Sequence, residues 1–221
     1  MNPYAIDGPA VISFSGGRSS GFMLRNIIDA HGGTLPDDIK VIFANTGLEH
    51  HETYEFIHRI EEAWCEVVWL EYTLEGENKH SFKVVDYESA SRAGEPFTLL
   101  INKIGKYLPS PVQRACTANL KIRTISKYLK SIGWKEFFNC IGLRADEQRR
   151  VQRMKNDTKN NITIMPMAES AHDINDVHNF WTGHKLDLNL PLNSNIFGNC
   201  VGCYLKGYGK LEAIAREEPD A

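Results

Sequence analysis

A short segment rich in serine and glycine has the composition of a phosphate-binding loop. It consists of Ser13, Phe14, Ser15, Gly16, Gly17, Arg18, Ser19 and Ser20. Glycine lets the backbone adopt positive φ and approach a ligand closely, so that successive N–H groups point at one anion. The serine hydroxyls add further donors, and Arg18 adds a positive charge. The segment therefore predicts a site for the phosphate groups of a nucleotide.

The elements on either side of this loop fit the same prediction. The apolar run at 10–14 predicts a strand, and the apolar spacing over 21–30 predicts a helix, whose N-terminus favours anions. No Gly-Lys-Ser/Thr sequence follows, which excludes the Walker A pattern. The alternative is a plain strand-to-helix turn in which Ser19 or Ser20 caps the helix.

A second predicted strand, over 40–44, also ends in polar residues. Asn45, Thr46 and Gly47 follow it directly. The amide of Asn45 is suited to hydrogen-bonding an adenine edge or a ribose, so we expect these three residues to contact the nucleotide. The alternative is a simple turn after a strand.

A third polar strand end lies further along the chain. The predicted strand over 137–143 contains Gly142 and leads into Arg144, and Glu147 follows three residues later. The planar guanidinium of Arg144 can clamp a phosphate or a sulfate. The alternative is the charged start of a helix, where the helix dipole favours an acidic residue such as Glu147.

The order of elements predicts an α/β fold. A further strand is expected over 66–71 and helices over 51–63, 118–133 and 173–182, while 76–110 shows no clear pattern and 190–209 is rich in loop residues. Strands that alternate with helices favour a mostly parallel sheet with helices on both faces. In such sheets ligands bind beyond the carboxyl ends of the strands, where the motifs above are found.

Five cysteines, an odd number, argue against a disulfide framework. Cys65 and Cys140 lie among apolar residues and are expected in the core. Cys200 and Cys203 form a Cys-x-x-Cys motif beside glycines, whose N–H groups can bond thiolate sulfur, and Cys116 is a third candidate metal ligand. One alternative is a zinc ion whose fourth ligand is one of three histidines, His172, His178 or His184. Another is a pair of cysteines that holds no metal.

Composition indicates an ordinary globular protein. The 221 residues are 42% hydrophobic and carry a net charge of −3, so no overall attraction to nucleic acid or membrane is visible. No apolar stretch approaches the length of a membrane span, and the N-terminus lacks a signal-peptide pattern. We therefore expect a cytoplasmic protein without membrane contact. We also expect one domain over 1–221, with a nucleotide-binding core over 10–165 and a C-terminal segment over 166–221.

One stretch departs from this overall balance. Between residues 144 and 159 the cations are Arg144, Arg149, Arg150, Arg153, Lys155 and Lys159. They suit a nucleic-acid backbone, and they equally suit the solvated face of a helix.

Four segments, in this order along the chain, resemble the phosphoadenosine phosphosulfate (PAPS) reductase family and its PP-loop superfamily. Residues 13–20 resemble the Ser-Gly-Gly-x-Asp-Ser loop of PP-loop ATP pyrophosphatases, and 43–54 resemble the Phe-x-Asp-Thr-Gly…Glu-Thr-Tyr segment. Residues 142–150 are similar to Gly-x-Arg-x-Asp-Glu-x-x-Arg, and 165–181 to the Pro-Leu…Asp-Val…Trp stretch. Two departures stand out, because Ser19 and Asn45 each replace an aspartate.

The resemblance implies the adenine nucleotide α-hydrolase-like fold, which is a Rossmann-like, twisted and mostly parallel sheet. It implies ATP or a related adenine nucleotide at the loop, accompanied by Mg²⁺. It also implies a loop-rich C-terminal segment that binds a metal. Relatives that reduce adenosine phosphosulfate hold a [4Fe–4S] cluster through a tandem Cys-Cys and a Cys-x-x-Cys. Ala115 replaces the first cysteine of the tandem, which implies three-cysteine ligation by Cys116, Cys200 and Cys203, as in PP-loop thiolation enzymes.

The reductases of this family also use a catalytic cysteine in a Glu-Cys-Gly tail, which this sequence lacks. We therefore expect sulfur transfer to an acceptor that ATP has adenylated, with Arg144, Lys121 and Glu147 as catalytic residues. The expected partners are a sulfur donor, such as a cysteine desulfurase or sulfide, and a nucleotide or nucleic-acid acceptor, and a homodimer is allowed. The alternatives are a sulfonucleotide reductase and a non-catalytic nucleotide or redox sensor.

Overall fold

The computed structural model describes residues 2–156, 162–192, 196–198 and 200–217. Lys159, the last cation of the basic stretch, lies outside these residues. Within the described ranges, no helix is long and apolar enough to cross a membrane.

The strands form a six-stranded, mostly parallel sheet. They are β1 (Ala10–Ser13), β2 (Ile39–Asn45), β3 (Val68–Glu75), β4 (Lys79–Val85), β5 (Phe138–Cys140) and β6 (Thr163–Ile164). Their order is β4-β3-β2-β1-β5-β6. β1 pairs in parallel with β2 and β5, and β5 pairs in parallel with β6, whereas β3 and β4 form an antiparallel hairpin. The predicted α/β class and mostly parallel sheet are therefore confirmed.

Helices separate and follow the strands. They are α1 (Arg18–Ala30), α2 (His51–Ala63), α3 (Glu95–Lys103), a π-helix (Thr117–Arg123), α4 (Thr124–Ser131), α5 (Gln148–Lys155), α6 (Pro166–Glu169), α7 (Ile174–Trp181) and α8 (Tyr208–Glu217). The bounds of α2 are those predicted, and α7 agrees within one residue at each end. The helix predicted over 118–133 divides into the π-helix and α4, and the strand predicted over 137–143 is only three residues long.

The chain folds into two compact units. Unit 1 comprises residues 1–43, 56–67 and 134–188, and unit 2 comprises 44–55, 68–133 and 189–221. The expected division into a core over 10–165 and a C-terminal segment over 166–221 stays a prediction.

Unit 1 positions the N-terminus of α1. The buried residues of this helix are Ser20, Gly21, Phe22, Met23, Leu24, Ile27 and Ile28. Trp181 of α7 donates from Nε1 to the carbonyl of Arg18 at 2.9 Å. A Cβ atom at Gly21 would lie 2.8 Å from the Trp181 ring, so only glycine permits this close packing. Trp181 therefore holds the first turn of α1, which directly follows the predicted phosphate loop.

Unit 2 contains the β3–β4 hairpin with α3, the π-helix and α4. Tyr72, Leu100 and Leu120 form one apolar cluster, against which Cys116 packs. A second cluster of Phe197, Val201 and Ile214 joins the Cys-x-x-Cys segment to α8. The stretch 76–110, which showed no pattern in the sequence, supplies β4 and α3.

Candidate active site

The loop over residues 13–20, called the phosphate loop below, is closed by its own hydrogen bonds. Gly16 has φ +71°, a conformation that favours glycine. The Ser20 hydroxyl donates to the Gly17 carbonyl at 2.8 Å, accepts from the Ser15 N–H at 3.3 Å and lies 3.1 Å from the Ser15 hydroxyl. Gly17 occupies the N-cap of α1 without a side-chain bond, so the alternative of a Ser19 or Ser20 cap is wrong. The first N–H groups of an α-helix have no helical partners, and an anion can satisfy them here.

The strands beside the loop approach it closely. The Ser13 hydroxyl donates to Oδ1 of Asn139 on β5 at 2.8 Å, so it fixes the spacing of β1 and β5 rather than standing free for a ligand. A Cβ atom at Gly142 would lie 3.2 Å from Cα of Ser20. Glycine at position 142 therefore lets the end of β5 reach the loop. Asn139 was not predicted as a site residue.

Arg18 is engaged within the protein. Its Nε and Nη2 atoms donate to the two carboxylate oxygens of Asp187, each at 2.6 Å. Arg59 donates to the Asp187 carbonyl at 3.0 Å, which fixes that residue further. This geometry makes Arg18 an anchor of the helix start, and its direct contact with phosphate stays a prediction. Asp187 was not predicted, because it lies 169 positions away in the sequence.

Arg144 reaches the phosphate loop, and its expected contact with a phosphate stays a prediction. Its Nη1 atom donates to the Ser19 hydroxyl at 3.2 Å, while Nε and Nη2 donate to the two carboxylate oxygens of Asp146 at 2.9 Å. Glu147 accepts from the Arg144 N–H at 3.2 Å and lies 3.6 Å from Nη1. Two carboxylates therefore orient a guanidinium whose side chain is only 19% exposed.

The opposite charges of Arg144 and of the two carboxylates, Asp146 and Glu147, stabilise one another. Hydrogen bonds from Arg144 lower the pKa of Asp146. Burial works against the charge of Arg144, but the bonds to Asp146 and the nearby Glu147 carboxylate outweigh it and raise the pKa of the guanidinium. The arrangement keeps a fixed positive charge beside Ser19, where negative charge on a phosphate would be stabilised.

In unit 2, Asn45 has every hydrogen-bonding position of its amide occupied. Its Nδ2 atom donates to Oε1 of Glu71 at 2.7 Å and to the Ser91 carbonyl at 2.8 Å. Its Oδ1 atom accepts from the Gly47 N–H at 2.9 Å and from the Tyr54 hydroxyl at 3.1 Å. Asn45 therefore organises the end of β2. The expected contact with adenine or ribose stays a prediction that these bonds do not support.

Glu71 is the partner that sequence reasoning missed. This fully buried carboxylate on β3 accepts from Asn45, from the Ser91 N–H at 2.6 Å and from the Ser91 hydroxyl at 2.9 Å, and it pairs with Lys83 at 2.8 Å. Burial opposes the charge of Glu71, but these donors together lower its pKa. A single acidic residue in the otherwise apolar stretch from Val67 to Tyr72 was the signal that could have found it.

The turn after Asn45 presents a second buried carboxylate. The Thr46 hydroxyl donates to Glu49, whose two oxygens both lie at 2.9 Å, and the Thr46 N–H donates to Oε2 at 3.1 Å. Gly47 has φ +78°, and a Cβ atom there would lie 2.8 Å from the backbone nitrogen of Gly94. Thr46 therefore contacts Glu49, which was not predicted, and the expected contact of Thr46 and Gly47 with the nucleotide stays a prediction.

Cys200 lies against this carboxylate. Residues 49 and 200 form an antiparallel backbone bridge, and the Cys200 sulfur lies 3.6 Å from Oε1 of Glu49 and 3.3 Å from the Thr46 hydroxyl. Burial, reinforced by Glu49, raises the pKa of the Cys200 thiol to about 12, although Lys121 acts in the opposite direction. The Lys121 ammonium lies 3.8 Å from Oε1 of Glu49.

Lys121 interacts electrostatically with the three predicted metal ligands. Burial disfavours its charge, but Glu49 and the thiols of Cys200, Cys116 and Cys203 outweigh this and raise its pKa. Lys121 lies within the π-helix that begins directly after Cys116, and π-helical segments are frequent at functional sites. We call this group the thiol centre. Lys121 is therefore close enough to all three thiols for their charges to act on its ammonium group.

The remaining metal predictions receive less support. In the part of the chain that the structure describes, no group of three His, Cys, Asp or Glu side chains is arranged to hold a metal ion. His172 and His184 are engaged elsewhere, because Nδ1 of His172 lies 2.7 Å from the Tyr4 hydroxyl and Nδ1 of His184 accepts from the Leu186 N–H at 3.1 Å. The ligand set, including the zinc alternative with His178, stays a prediction.

Of the two cysteines expected in the core, only Cys140 is fully buried. Cys140 is buried in β5 and Cys65 is half-buried. Burial raises the pKa of each thiol to about 12, which keeps both protonated and unreactive near neutral pH.

Comparison with known proteins identifies the family of this chain. The family model of the phosphoadenosine phosphosulfate reductase domain matches residues 9–206. The chain belongs to this family. The nin region protein ORF290 of Escherichia phage lambda, itself uncharacterized, is 27% identical over 216 residues, which cover 94% of this chain and 70% of that protein. A crystal structure of PAPS reductase from Candida auris, a phosphate complex, matches with a TM-score of 0.47 and 16% identity over 83% of this chain and 79% of that one.

Membership in the PAPS reductase family, and so in the PP-loop superfamily, supports a nucleotide-binding enzyme. It also gives meaning to Asn45, which replaces the aspartate usual in the family. An aspartate here would direct a second carboxylate at Glu71 and at the Ser91 carbonyl, where only a donor is tolerated. The asparagine is therefore explained by its buried neighbours in unit 2.

Proposed function

We propose that this protein adenylates an acceptor with ATP, or a related adenine nucleotide, and then transfers sulfur to it by means of a [4Fe–4S] cluster. The observation that carries the proposal is that the Lys121 ammonium interacts electrostatically with Cys116, Cys200 and Cys203, in a chain that also has a helix-terminal phosphate loop. Family membership supports the nucleotide, and the thiol centre supports sulfur chemistry.

The phosphate loop would bind the nucleotide through preorganised donors. The N-terminus of α1 and the backbone around Gly16 would hold the phosphate oxygens. Arg144, oriented by Asp146 and Glu147, would stabilise charge at the α-phosphate beside Ser19. Mg²⁺ would enter with the nucleotide, because the family's aspartate is replaced by Ser19 and brings no negative charge.

With sulfide as the sulfur donor, the proposed reaction needs no external oxidant or reductant. The acceptor's oxygen would attack the α-phosphorus, and the bond to the β-phosphate would break with release of pyrophosphate. Hydrosulfide, supplied as sulfide, would then attack the activated carbon. The carbon–oxygen bond would break, AMP would leave with that oxygen, and sulfur would take its place. A cysteine desulfurase carries sulfur as a persulfide, so with that donor a thiol reductant would also have to supply two electrons to release hydrosulfide.

In this proposal Cys116, Cys200 and Cys203 of the thiol centre would hold the cluster, and because the described side chains form no ready-made group of three metal ligands, they would have to move together to do so. Metal ligation needs thiolates, so the charge of Lys121 would offset the negative charge that forms on three neighbouring sulfurs. The cluster itself would supply an iron position without a protein ligand, at which sulfur chemistry can take place. Thr46 and Glu49 would fix the side chain of Cys200 through their contacts with its sulfur.

The first experiment is metal analysis of protein purified without oxygen. We expect about four irons and four acid-labile sulfides per chain, with brown absorption. Cys116→Ala, Cys200→Ala and Cys203→Ala should each lose the metal, whereas the matched control Cys65→Ala, in a half-buried cysteine outside the thiol centre, should keep it. Zinc, or no metal in wild-type protein, would reject the cluster.

The second experiment tests the nucleotide. Equilibrium dialysis should show that ATP binds wild-type protein, that Arg144→Lys weakens binding, and that the exposed control Arg153→Lys does not. Binding without turnover of ATP in the presence of candidate acceptors and sulfide would instead support the non-catalytic sensor.

Family membership favours one second candidate, a sulfonucleotide reductase. In this candidate a thiol of a partner protein would act as nucleophile on the sulfur of PAPS or of adenosine phosphosulfate. Release of sulfite from either sulfonucleotide, with thioredoxin or dithiothreitol as reductant, would support this candidate. Formation of AMP and pyrophosphate from ATP only with acceptor and sulfide present would support sulfur transfer.

For the acceptor we propose a nucleic acid or a nucleotide. Helix α5 has no buried residue, and Arg149, Arg150, Arg153 and Lys155 on it are exposed. A phosphate backbone there should bind with an affinity that falls steeply as the salt concentration rises. Arg149→Gln/Arg153→Gln should reduce the slope of log affinity against log salt concentration by the equivalent of about two ionic contacts. An affinity that does not respond to salt would leave α5 a solvated helix.

A further inference from the structure

A partly open cavity of about 260 Å³ lies between α5 and α6 in unit 1. It is smaller than the roughly 300–1,000 Å³ pockets that enclose drug-sized ligands, so it admits one ring system rather than a whole nucleotide. No residue of the phosphate loop or of the thiol centre lines it. Its lining combines apolar and polar side chains and consists of Ala145, Gln148, Val151, Gln152, Lys155, Met165, Ala168 and Glu169.

One side of the cavity is a single face of α5. Gln148, Val151, Gln152 and Lys155 recur at spacings of three and four residues, so their side chains share that face. Each glutamine carboxamide offers two N–H donors and a carbonyl acceptor. Within the described part of the chain, the Gln152 amide makes only a long contact of 3.5 Å with Asn156, and the Gln148 side chain has no hydrogen bond. Two neighbouring amides are therefore available to a ligand.

The other side of the cavity is more apolar and comes from the start of α6. Met165 is buried, and its carbonyl accepts from the Glu169 N–H at 3.0 Å, which closes this short helix. Ala168 lies half-buried beside it. Apolar side chains that face carboxamides are complementary to a nucleobase, because the ring faces of a base stack on apolar groups and its edge carries donors and acceptors.

Positive charge lies on the same helix. Arg149 and Arg153 are exposed, four residues apart, and each directly follows one of the two glutamines. Lys155 is exposed and also lines the cavity. A phosphate backbone held by these cations would bring a base to the amides. The cavity also includes Ala145, which directly follows Arg144, the residue that donates to the phosphate loop.

We propose that this cavity binds one unstacked nucleobase of the acceptor, and that Gln148 and Gln152 recognise its hydrogen-bonding edge. The inference rests on the proposed function, which assigns a nucleotide or a nucleic acid as the acceptor. Val151 and Met165 contact the faces of the ring. The base belongs either to a nucleic-acid strand, whose phosphates lie along the arginines of α5, or to a free nucleotide.

Fluorescence anisotropy with short single-stranded oligonucleotides tests the site. Four strands carry a single A, C, G or U in an otherwise abasic backbone, and a fifth strand is wholly abasic. An ATP analogue that cannot be hydrolysed is present at saturation, so that the phosphate loop is occupied. We expect at least one base to tighten binding about tenfold over the abasic strand, since two hydrogen bonds to a base edge discriminate to about this extent.

Substitutions on α5 separate the base from the backbone. Gln148→Ala/Gln152→Ala changes exposed helical positions to the best helix former, so the fold should persist. This variant should bind the base-bearing strand no better than the abasic one, with affinity for the abasic strand unchanged. Arg149→Gln/Arg153→Gln should weaken binding of every strand and keep the ratio between them. The matched control is Gln113→Ala, an exposed glutamine outside α5, which should behave as wild type does.

Isothermal titration with AMP, GMP, CMP and UMP, under the same conditions, distinguishes the two sources of the base. A mononucleotide that binds wild-type protein about tenfold more tightly than the double glutamine variant, without binding of strands, identifies a free nucleotide as the acceptor. The cavity assignment is overturned if no base improves binding of a strand and no mononucleotide binds. It is equally overturned if the preference for a base survives in Gln148→Ala/Gln152→Ala.

Failure of the proposed function would be seen separately, because these titrations require neither iron nor sulfide. Base-dependent binding to protein that holds no iron would keep the cavity assignment and reject the cluster. Iron in the protein without base-dependent binding would keep the cluster and reject the cavity assignment.

Discussion

Replacing Asn45 with aspartate tests the buried network of unit 2 most directly. The Nδ2 atom of Asn45 lies 2.7 Å from Oε1 of Glu71, and both side chains are fully buried. Two full charges about 3 Å apart repel by about 5 kcal/mol at an effective dielectric constant of about 20. Protonation of one carboxyl group limits this cost, since raising a pKa from about 3.9 to 7 costs about 4 kcal/mol at pH 7. We therefore expect Asn45→Asp to lower the free energy of unfolding by about 3–4 kcal/mol at pH 7.

The same substitution should change how stability depends on pH. In the folded variant, the pair of carboxyl groups at positions 45 and 71 would hold a proton near neutral pH that the unfolded chain does not hold. Stability of the variant should therefore fall as pH rises, by about 1.4 kcal/mol per pH unit relative to wild type between about pH 5 and 7. Asn45→Asp/Glu71→Gln restores one donor that faces one carboxylate. The double variant should therefore regain about half of the lost free energy of unfolding, and most of the added pH dependence should disappear.

Urea denaturation at pH 5.5, 6.5 and 7.5, followed by tryptophan fluorescence, measures both effects. The matched control is Asn189→Asp, because Asn189 also donates to a glutamate, Oε2 of Glu52 at 3.2 Å, but is exposed. Water screens that pair, so its cost should stay below about 0.5 kcal/mol. If Asn45→Asp costs less than about 1 kcal/mol and shows no pH dependence, the buried contact with Glu71 is wrong.

Three further predictions concern Gly21, Arg144 and Glu71. Gly21→Ala should cost about 1–3 kcal/mol in urea denaturation, since its Cβ would lie 2.8 Å from the Trp181 ring; a neutral effect would contradict this packing. Arg144→Lys loses the two-point pair with Asp146 and should weaken ATP binding about tenfold in equilibrium dialysis, and unchanged affinity would remove Arg144 from the site. The lowered pKa of Glu71 stabilises the fold above the unfolded value of about 4.3, and this contribution is lost as pH falls through the folded pKa. Acid unfolding followed by circular dichroism should therefore begin at a lower pH than in a protein without the network, and Glu71→Gln should remove that component.

The sequence predicted the elements whose local pattern is strong. Helix α2 has the expected bounds because apolar residues recur at helical spacing between His51 and Ala63. The stretch 76–110 gave no such pattern, since β4 is an edge strand with a mixed burial pattern and α3 is only nine residues long. Helix α5 could not be told from a loop by periodicity, because it buries no residue.

The candidate site was predictable in residue types but not in partners. Arg144 was expected at a phosphate, and the structure brings it to Ser19, 125 positions away. The bonds that decide the roles of Arg18 and Asn45 come from residues 169 and 26 positions away, which no local pattern relates to them. Distant pairing of this kind depends on tertiary packing, so a sequence motif can identify a charged residue without showing what neutralises it.

The two departures from the family pattern, Asn45 and Ser19, can each be explained by the side chains that contact them. Asn45 is required by Glu71, because its amide supplies a donor that an aspartate lacks. Ser19 accepts a hydrogen bond from Arg144, whose other donors already meet Asp146, so an aspartate at position 19 would add another carboxylate around one guanidinium. A neutral serine leaves more of that positive charge for a phosphate. Both replacements therefore have local structural explanations that do not require a loss of catalysis.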